Sequence, residues 1–121
     1  MPEEIDHGQH TSYVGQSVVI PCNPKLKKDV DWKYKPNEMG FEDYIYSNGH
    51  MYSRFNDSMT VVKSNDSDYD LFIRNVSLGD TGIYKCIEDL GFGTRHINRL
   101  LVSDSGKLFS YLFTVLSVKV G

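Results

Sequence analysis

Apolar residues fall in short alternating runs separated by turn signals, and no stretch of the chain keeps a helical period. In the segment QSVVIPC, alternation places Val18, Ile20 and Cys22 on one face of a predicted strand. In DVDWKYK it separates Trp32 and Tyr34 from the lysines between and after them. The pattern therefore predicts an all-β fold.

Further strands follow at regular spacing. FEDYIYS is predicted to place Tyr44 and Tyr46 on one face and Ile45 on the other, and SNGH is a hairpin signal because Asn-Gly accepts positive φ. HMYSRF is predicted as a short edge strand. The remaining predicted strands are MTVVK and DLFIRNV, joined by the polar turn SNDSD, and the hairpin arms GIYKCIED and RHINRLLVS. This spacing fits a two-sheet sandwich better than a barrel.

Length and composition indicate one soluble domain. The chain has 121 residues, of which 40% are hydrophobic and 24% charged, and its net charge of −3 argues against nucleic-acid binding. Residues 1–12 contain no apolar segment, so no signal peptide is predicted. We expect a mature ectodomain with an added Met1: an N-terminal extension (1–12), a domain (13–103) and a linker with an apolar tail (104–121).

Two cysteines, Cys22 and Cys86, stand too far apart for a CxxC redox pair and are too few for a zinc site built from cysteines alone. They form either a long-range disulfide or two buried free thiols. A disulfide closing about 65 residues would contribute roughly 4 kcal/mol in the chain-entropy model.

Three glycosylation sequons support export from the cell. They begin at Asn56, Asn65 and Asn75. Such triplets also arise by chance, so each remains a separate prediction.

The segment DTGIYKC is the most specific motif in the chain. Asp80, Gly82, Tyr84 and Cys86 match the D-x-G-x-Y-x-C pattern, and the sequence resembles the V-set family of immunoglobulin domains over residues 13–103. The resemblance implies an immunoglobulin-like β-sandwich of V type, with two antiparallel sheets in a Greek key and one inter-sheet disulfide. An I-set domain is the alternative.

The same resemblance implies roles for particular side chains. Cys22 and Cys86 would form the disulfide, with Trp32 packed against it and the Tyr84 hydroxyl bonded to upstream backbone. Arg54, in SRF, would form an ion pair with Asp80.

The segment DLGFGTR has three alternative interpretations. A phosphate-binding loop would need a third glycine where His96 stands, followed by a helix rather than a strand. An antigen-receptor joining segment would need a second glycine in register and a longer interval after Cys86. The segment is therefore interpreted as a hairpin turn, with Gly91 and Gly93 in left-handed geometry. Phe92 would project from the tip as a partner anchor or fold back on the sheet.

The sequence shows no catalytic motif, and we expect no enzyme activity, cofactor or metal. His7 and His10 have a weak metal-like spacing, but we place them in a solvated tail. Acidic residues such as Glu42 and Glu88 are expected on the solvated surface.

Function is therefore expected on a surface, the GFCC′ face of the resemblance. It would bind a protein of acidic or mixed surface, either another immunoglobulin-superfamily receptor or a second copy of the chain, in immune recognition or cell adhesion at the cell surface. Alternatives are a glycan-binding module using Arg95 or Arg99 and the ligand-binding domain of a growth-factor-type receptor. The predicted partner-binding residues are Lys33, Lys35, Tyr44, Tyr46, Lys85, Ile87, Phe92, Ile97 and Arg99.

The tail after residue 103 carries an apolar run, Leu108 to Val118, that is too short to span a bilayer. It is interpreted as the first strand of a following immunoglobulin domain. The alternatives are the start of a truncated membrane span, a strand that augments or swaps within a dimer, and a cloning artefact.

Overall fold

A computed structural model of the chain describes residues 3–25, 28–63 and 68–104. Within these residues, nine strands form two sheets, accompanied by a 3₁₀ helix (Leu78–Asp80) and one helical turn, α1 (Glu88–Gly91). The strands are β1 (Glu4–Tyr13), β2 (Val18–Ile20), β3 (Asp31–Lys35), β4 (Asp43–Ser47), β5 (His50–Met51), β6 (Met59–Val62), β7 (Asp70–Ile73), β8 (Gly82–Ile87) and β9 (Arg95–Ser103).

The strands are arranged as a two-sheet sandwich. One sheet has the order β1-β9-β8-β3-β4-β5, and the other has the order β2-β7-β6. Among the described strands, every pair is antiparallel except β1 and β9, which run parallel. The predicted all-β sandwich is confirmed, with this one parallel pair as an addition.

The core lies between the sheets, where each strand contributes every second side chain. The small sheet contributes Ile20, Leu71 and Ile73, and the large sheet contributes Trp32 and Tyr84, all fully buried. Indole Nε1 of Trp32 donates a hydrogen bond to the carbonyl of Tyr69, 2.8 Å away. The polar atom of the tryptophan therefore has a partner inside the core.

A disulfide between Cys22 and Cys86 joins the two sheets, as predicted. Cys22 follows β2, and Cys86 lies in β8 directly across from Trp32 of β3. The bridge and the indole ring therefore occupy neighbouring places on the inner face. The alternative of two free thiols is excluded.

The prediction that Tyr44 and Tyr46 share a face is wrong. Trp32 pairs with Tyr46, while the next residue, Lys33, pairs with Tyr44, so Ile45 is an extra residue in β4. This β-bulge shifts the alternation by one position. Ile45 and Tyr46 are consequently both buried in the core, and only Tyr44 remains on the outer face.

Residues 4–12, predicted to lie in an extension ahead of the domain, are part of the large sheet in the structure. They belong to β1, which pairs with β9 from Glu4 opposite Arg95 to Tyr13 opposite Ser103. The pairing is irregular between Asp6 and Gln9. His7 and His10 therefore lie on a strand and not in a solvated tail.

Removing the disulfide should destabilise the sandwich. Replacing Cys22 and Cys86 together by alanine frees a loop with a sequence separation of 64 residues. Its closure corresponds to about 4 kcal/mol of unfolding free energy in the chain-entropy model. Urea unfolding of the oxidised chain and the double variant measures the difference. A loss below about 1 kcal/mol would contradict this account.

Candidate partner-binding face

The outer face of the large sheet is defined by strand register. Lys33, Lys85 and Ile97 form one row across β3, β8 and β9, and Lys35, Ile83 and Arg99 form a second row. Tyr44 of β4 extends the first row beyond Lys33. We call the surface formed by these residues, together with Ile87, the outer face; it corresponds to the predicted GFCC′ face.

Three of the four basic side chains of the outer face, those of Lys33, Lys85 and Arg99, lie near carboxylates. Lys85 Nζ lies 2.7 Å from Oε1 of Glu42, and Lys33 Nζ lies 3.8 Å from Oε2 of the same residue. Arg99 contacts Asp6 at 2.7 Å and Glu38 at 3.2 Å. The outer face is therefore electrostatically mixed, and its positive charge is largely balanced from within the chain.

The isoleucines of the outer face are not exposed, contrary to the sequence prediction. Ile87 is 3% exposed and Ile97 7% exposed, yet neither belongs to the central core cluster. Ile83 is buried in the same way. These side chains therefore offer little contact area of their own to a partner.

The turn between β8 and β9, residues 88–94, presents a highly exposed aromatic ring. Phe92 is 80% exposed, and its neighbour Leu90 is 47% exposed. Of the two predicted placements of Phe92, the structure shows the projecting one. Two apolar side chains thus stand together at the tip of a turn.

The backbone of this turn takes left-handed geometry at three successive residues, Asp89, Leu90 and Gly91, whose φ values are +52°, +56° and +94°. The sequence predicted this geometry for Gly91 and Gly93, and only Gly91 has it. Gly91 is also required by space, because a Cβ there would lie 2.6 Å from Oδ2 of Asp31. The turn therefore packs closely over the start of β3.

A buried polar network holds the turn from beneath. Glu88 accepts a hydrogen bond from the Lys25 backbone at 2.9 Å through Oε1, and its Oε2 lies 2.6 Å from Nε2 of His96. Nδ1 of His96 lies 2.8 Å from Nε2 of His7 in β1. The amide of Leu90 donates to the carbonyl of Asp29, 2.9 Å away. The network therefore links the β8–β9 turn to the loop between β2 and β3 and to strands β1 and β9.

Sequence reasoning missed this network. Glu88 was expected on the solvated surface and His7 in a tail, whereas Glu88 and His96 are both buried. Their positions 8 and 89 residues from their partners follow no motif spacing. The one available signal was the alternation itself, because His96 lies two residues before Asn98 on the inward side of β9, across from Cys86.

Within the described residues, no group of three histidine, cysteine or acidic side chains is arranged to hold a metal ion. The same part of the chain contains no helix long and apolar enough to cross a membrane.

Comparison with known proteins agrees with this architecture. The family model described as "Immunoglobulin V-set domain" matches residues 7–106. The chain belongs to the immunoglobulin V-set family. The match begins within β1, so most of that strand belongs to the matched region.

Solved structures of V-set architecture resemble the chain at low sequence identity. The first immunoglobulin domain of the mouse polymeric immunoglobulin receptor has a TM-score of 0.61 and 24% identity, over 84% of this chain and 90% of that one. Murine CRIg has a TM-score of 0.60 and 20% identity, over 78% and 92%. No curated protein sequence matches the chain. These similarities show the fold. The function of such a domain depends on the residues at its surface.

One contact expected of a V-set domain is replaced in this chain. Arg54 forms its ion pair with Asp43, and the Asp80 carboxylate instead accepts a 2.8 Å hydrogen bond from the Ser77 amide, capping the 3₁₀ helix. The predicted Arg54–Asp80 pair is therefore wrong, because each side chain has a nearer partner. Tyr84 does donate its hydroxyl to upstream backbone, the Asp80 carbonyl at 2.6 Å.

Two of the three predicted glycosylation sites are described. Asn56 and Asn75 are both exposed and both lie off the outer face, in loops beside the small sheet. Asn65 lies outside the described residues. Glycosylation itself stays a prediction at all three positions.

The buried network predicts a loss of stability when His96 is removed. His96→Ala leaves a buried carboxylate oxygen of Glu88 without its donor, so we expect the free energy of unfolding to fall by about 2 to 3 kcal/mol. His50→Ala, at an exposed position, is the matched control and should change it by less than about 0.5 kcal/mol. Equal effects of the two substitutions in urea unfolding would contradict the network's role.

The Glu42 cluster predicts a measurable pKa change. Burial raises the pKa of Glu42, but the Lys85 hydrogen bond and the charges of Lys85, Lys33 and Lys35 outweigh it and hold the pKa below its usual range. Lys85→Met should move this pKa upward, as measured by carboxyl NMR titration. Lys28→Met, which removes a lysine paired with Asp89, should leave it unchanged.

The lowered pKa of Glu42 determines how the stability of the fold changes with pH. A carboxylate with a depressed folded pKa contributes stability above its unfolded pKa and loses it as the pH falls through the folded value. The native chain should therefore lose more stability than Lys85→Met on acidification through this range. An unchanged Glu42 titration in Lys85→Met would show that the ion pair is not formed in solution.

Proposed function

We propose that this V-set domain is an extracellular recognition module that binds a protein partner through the β8–β9 turn and the adjoining outer face. The observation that carries the proposal is the exposed pair Phe92 and Leu90 on a turn braced by a buried network. The setting would be immune recognition or cell adhesion, at the surface of a cell. The inter-sheet disulfide supports an oxidising, extracellular compartment.

The bracing of the turn favours binding because a rigid anchor loses little conformational freedom when it meets a partner. Leu90 is fixed through its backbone to Asp29, and Gly91 packs against Asp31. An exposed aromatic side chain on such a support has the character of an interface anchor. Its ring would insert into an apolar pocket of the partner.

The outer face beside the turn would contribute polar and aromatic contacts. Tyr44 stacks on Tyr52 with ring centroids 5.6 Å apart, and Lys33 Nζ lies 4.7 Å from the Tyr44 ring centroid. Because Glu42 already offsets one of the two positive charges of Lys33 and Lys85, the partner surface need not be strongly acidic. A mixed surface with an apolar pocket fits this arrangement better.

A glycan-binding module is supported less well. Arg99, one of its two candidate anchors, already contacts two carboxylates of this chain, so an acidic sugar would have to displace Asp6 and Glu38. Arg95 is exposed and is the other candidate anchor for a sugar. V-set domains are typically non-catalytic binding modules, and we propose the same for this one.

The proposal predicts that Phe92→Ser weakens partner binding at least about tenfold, because a central aromatic anchor is lost. Self-association is measured first, by sedimentation across a concentration series. Binding to a panel of cell-surface ectodomains and to a glycan array follows, with the chain presented in multivalent form. Val62→Ser, at an exposed valine of β6 on the small sheet, is the control and should bind like the native chain.

Three results would count against the proposal. Binding that survives Phe92→Ser but fails in Val62→Ser would move the site to the small sheet. Binding confined to sialylated or sulfated glycans and abolished by Arg95→Ala would support the glycan alternative. No binding to any ectodomain, to glycans or to itself would remove the basis for a recognition role.

A further inference from the structure

Strand β1 pairs with β9 in two separate stretches. Residues 4–6 pair with residues 95–97, and regular pairing resumes with residues 9–13 opposite residues 99–103. Gly8 lies between the two stretches with a φ of +84°, and a Cβ built on it would meet no atom of the described residues within 4 Å. Because glycine accepts this geometry and has free space around it, Gly8 can act as a hinge between the two stretches.

A histidine pair joins the first stretch to β9. Nε2 of His7 lies 2.8 Å from Nδ1 of His96, and the two rings are stacked with their centroids 5.0 Å apart. On the other side of the His96 ring, Nε2 lies 2.6 Å from Oε2 of Glu88. A carboxylate only accepts hydrogen bonds, so Nε2 of His96 already carries a proton. Nδ1 of His96 is therefore the atom that shares a proton with His7.

The hydrogen bond between the two rings needs exactly one proton between the facing nitrogens. It forms when both rings are neutral and when one ring is charged, because one facing nitrogen is then still free to accept. When both rings are imidazolium, both facing nitrogens carry hydrogen and no acceptor remains. Two positive charges then also repel each other across a centroid distance of 5.0 Å. The second proton taken up by the pair therefore breaks the contact.

The second stretch of β1 is held by contacts that tolerate protonation. Nε2 of His10 lies 3.2 Å from Oδ1 of Asn98. Since an amide oxygen accepts hydrogen bonds, His10 donates to it both as a neutral ring and as an imidazolium. The amide of Val14 also donates to the Ser103 carbonyl at 3.0 Å. Acidification therefore leaves the second stretch in place.

The charges around the histidine pair come from several elements. Glu88 contacts His96, and Asp6 interacts electrostatically with His7. Among the described residues, the titratable and charged side chains on the neighbouring elements are Glu4, Asp6 and His10 of β1, Lys25, Lys28 and Asp29 of the β2–β3 loop, Lys85 of β8, Glu88 and Asp89 of the turn, and Arg95 and Arg99 of β9.

Asp6 stays charged while the histidines titrate. The hydrogen bond from the Gly8 amide, followed by the hydrogen bond from Arg99, holds the pKa of Asp6 below its usual range. Its ion pair with Arg99 therefore persists in this range, but both side chains are exposed, and such a pair contributes little to holding a strand. A three-residue ladder near the chain end then has to hold the first stretch, and such ladders open at low cost in free energy.

We propose that residues 3–7 form a pH-sensitive strap on the edge of β9, which detaches at the Gly8 hinge when His7 and His96 both carry an added proton. Histidine side chains take up protons between about pH 8 and pH 5. Detachment leaves residues 95–97 unpaired at the edge of the six-stranded sheet, where an extended segment of a partner can add as a strand. This inference does not depend on the proposed partner-binding face.

The test measures amide hydrogen exchange by NMR at about pH 7.5 and about pH 5. Protection factors are compared, so that the intrinsic pH dependence of exchange cancels. Two amides report on the two stretches: Arg95 donates to the Glu3 carbonyl at 2.8 Å, and Val14 donates to the Ser103 carbonyl at 3.0 Å. On acidification, we expect the protection factor of Arg95 to fall at least about tenfold and that of Val14 to change less than about twofold.

Two variants of β1 separate protonation of the pair from a general effect of acid. His7→Gln removes one of the two charges, because glutamine stays neutral at both pH values. The protection factor of Arg95 should then differ by less than about twofold between them. His10→Gln is the matched control on the same strand and should keep the native fall.

Three results would overturn the proposal. The first is an unchanged protection factor of Arg95 in the native chain, and the second is an equal fall in His7→Gln. The third is a parallel fall at Val14, because the whole strand or the whole domain would then be opening. NMR titration of the imidazole rings adds the order of events. The fall at Arg95 should accompany the second protonation of the His7–His96 pair, and a fall with the first would contradict the mechanism.

Discussion

The covalent link between Cys22 and Cys86, with Trp32 beside it, is the constraint on which the rest of the structure depends. A domain of this size buries only part of its surface, so a cross-link that shortens the unfolded chain stabilises it substantially. The link also fixes β8 against the small sheet. The residues of the outer face on β3 and β9 are then positioned by the register of these strands with β8.

The β8–β9 turn shows how a fixed strand pair supports an irregular loop. Left-handed geometry at the non-glycine residues Asp89 and Leu90 costs free energy, which the surrounding hydrogen bonds must offset. Glu88 supplies part of that support from a buried position, through Lys25 and His96. The buried network therefore holds the turn in place, and the exposed tip of the turn offers the apolar contact area.

The two ends of the sandwich differ in what they leave uncovered. At one end, single apolar side chains project from the β8–β9 turn, a convex feature suited to entering a pocket. At the other end, Tyr13, Val14 and Leu78 line a concave groove where β9 ends. The two ends therefore expose apolar surface of opposite shape, convex at the β8–β9 turn and concave where β9 ends.

Local periodicity and one motif were enough to determine the all-β sandwich, the strands around Trp32 and Tyr84, and the V-set resemblance, because these follow from alternation and from spacing along the chain. Only the tertiary structure decided the orientation of Tyr46, the burial of Ile87 and Ile97, and the partner of Arg54. A bulge at Ile45 reverses the alternation without any glycine or proline to mark it, and burial on the outer face depends on neighbours far away in sequence. The network of Glu88, His96 and His7 was also decided only by the tertiary structure. His7 and His96 are 89 positions apart and meet only after β1 pairs with β9.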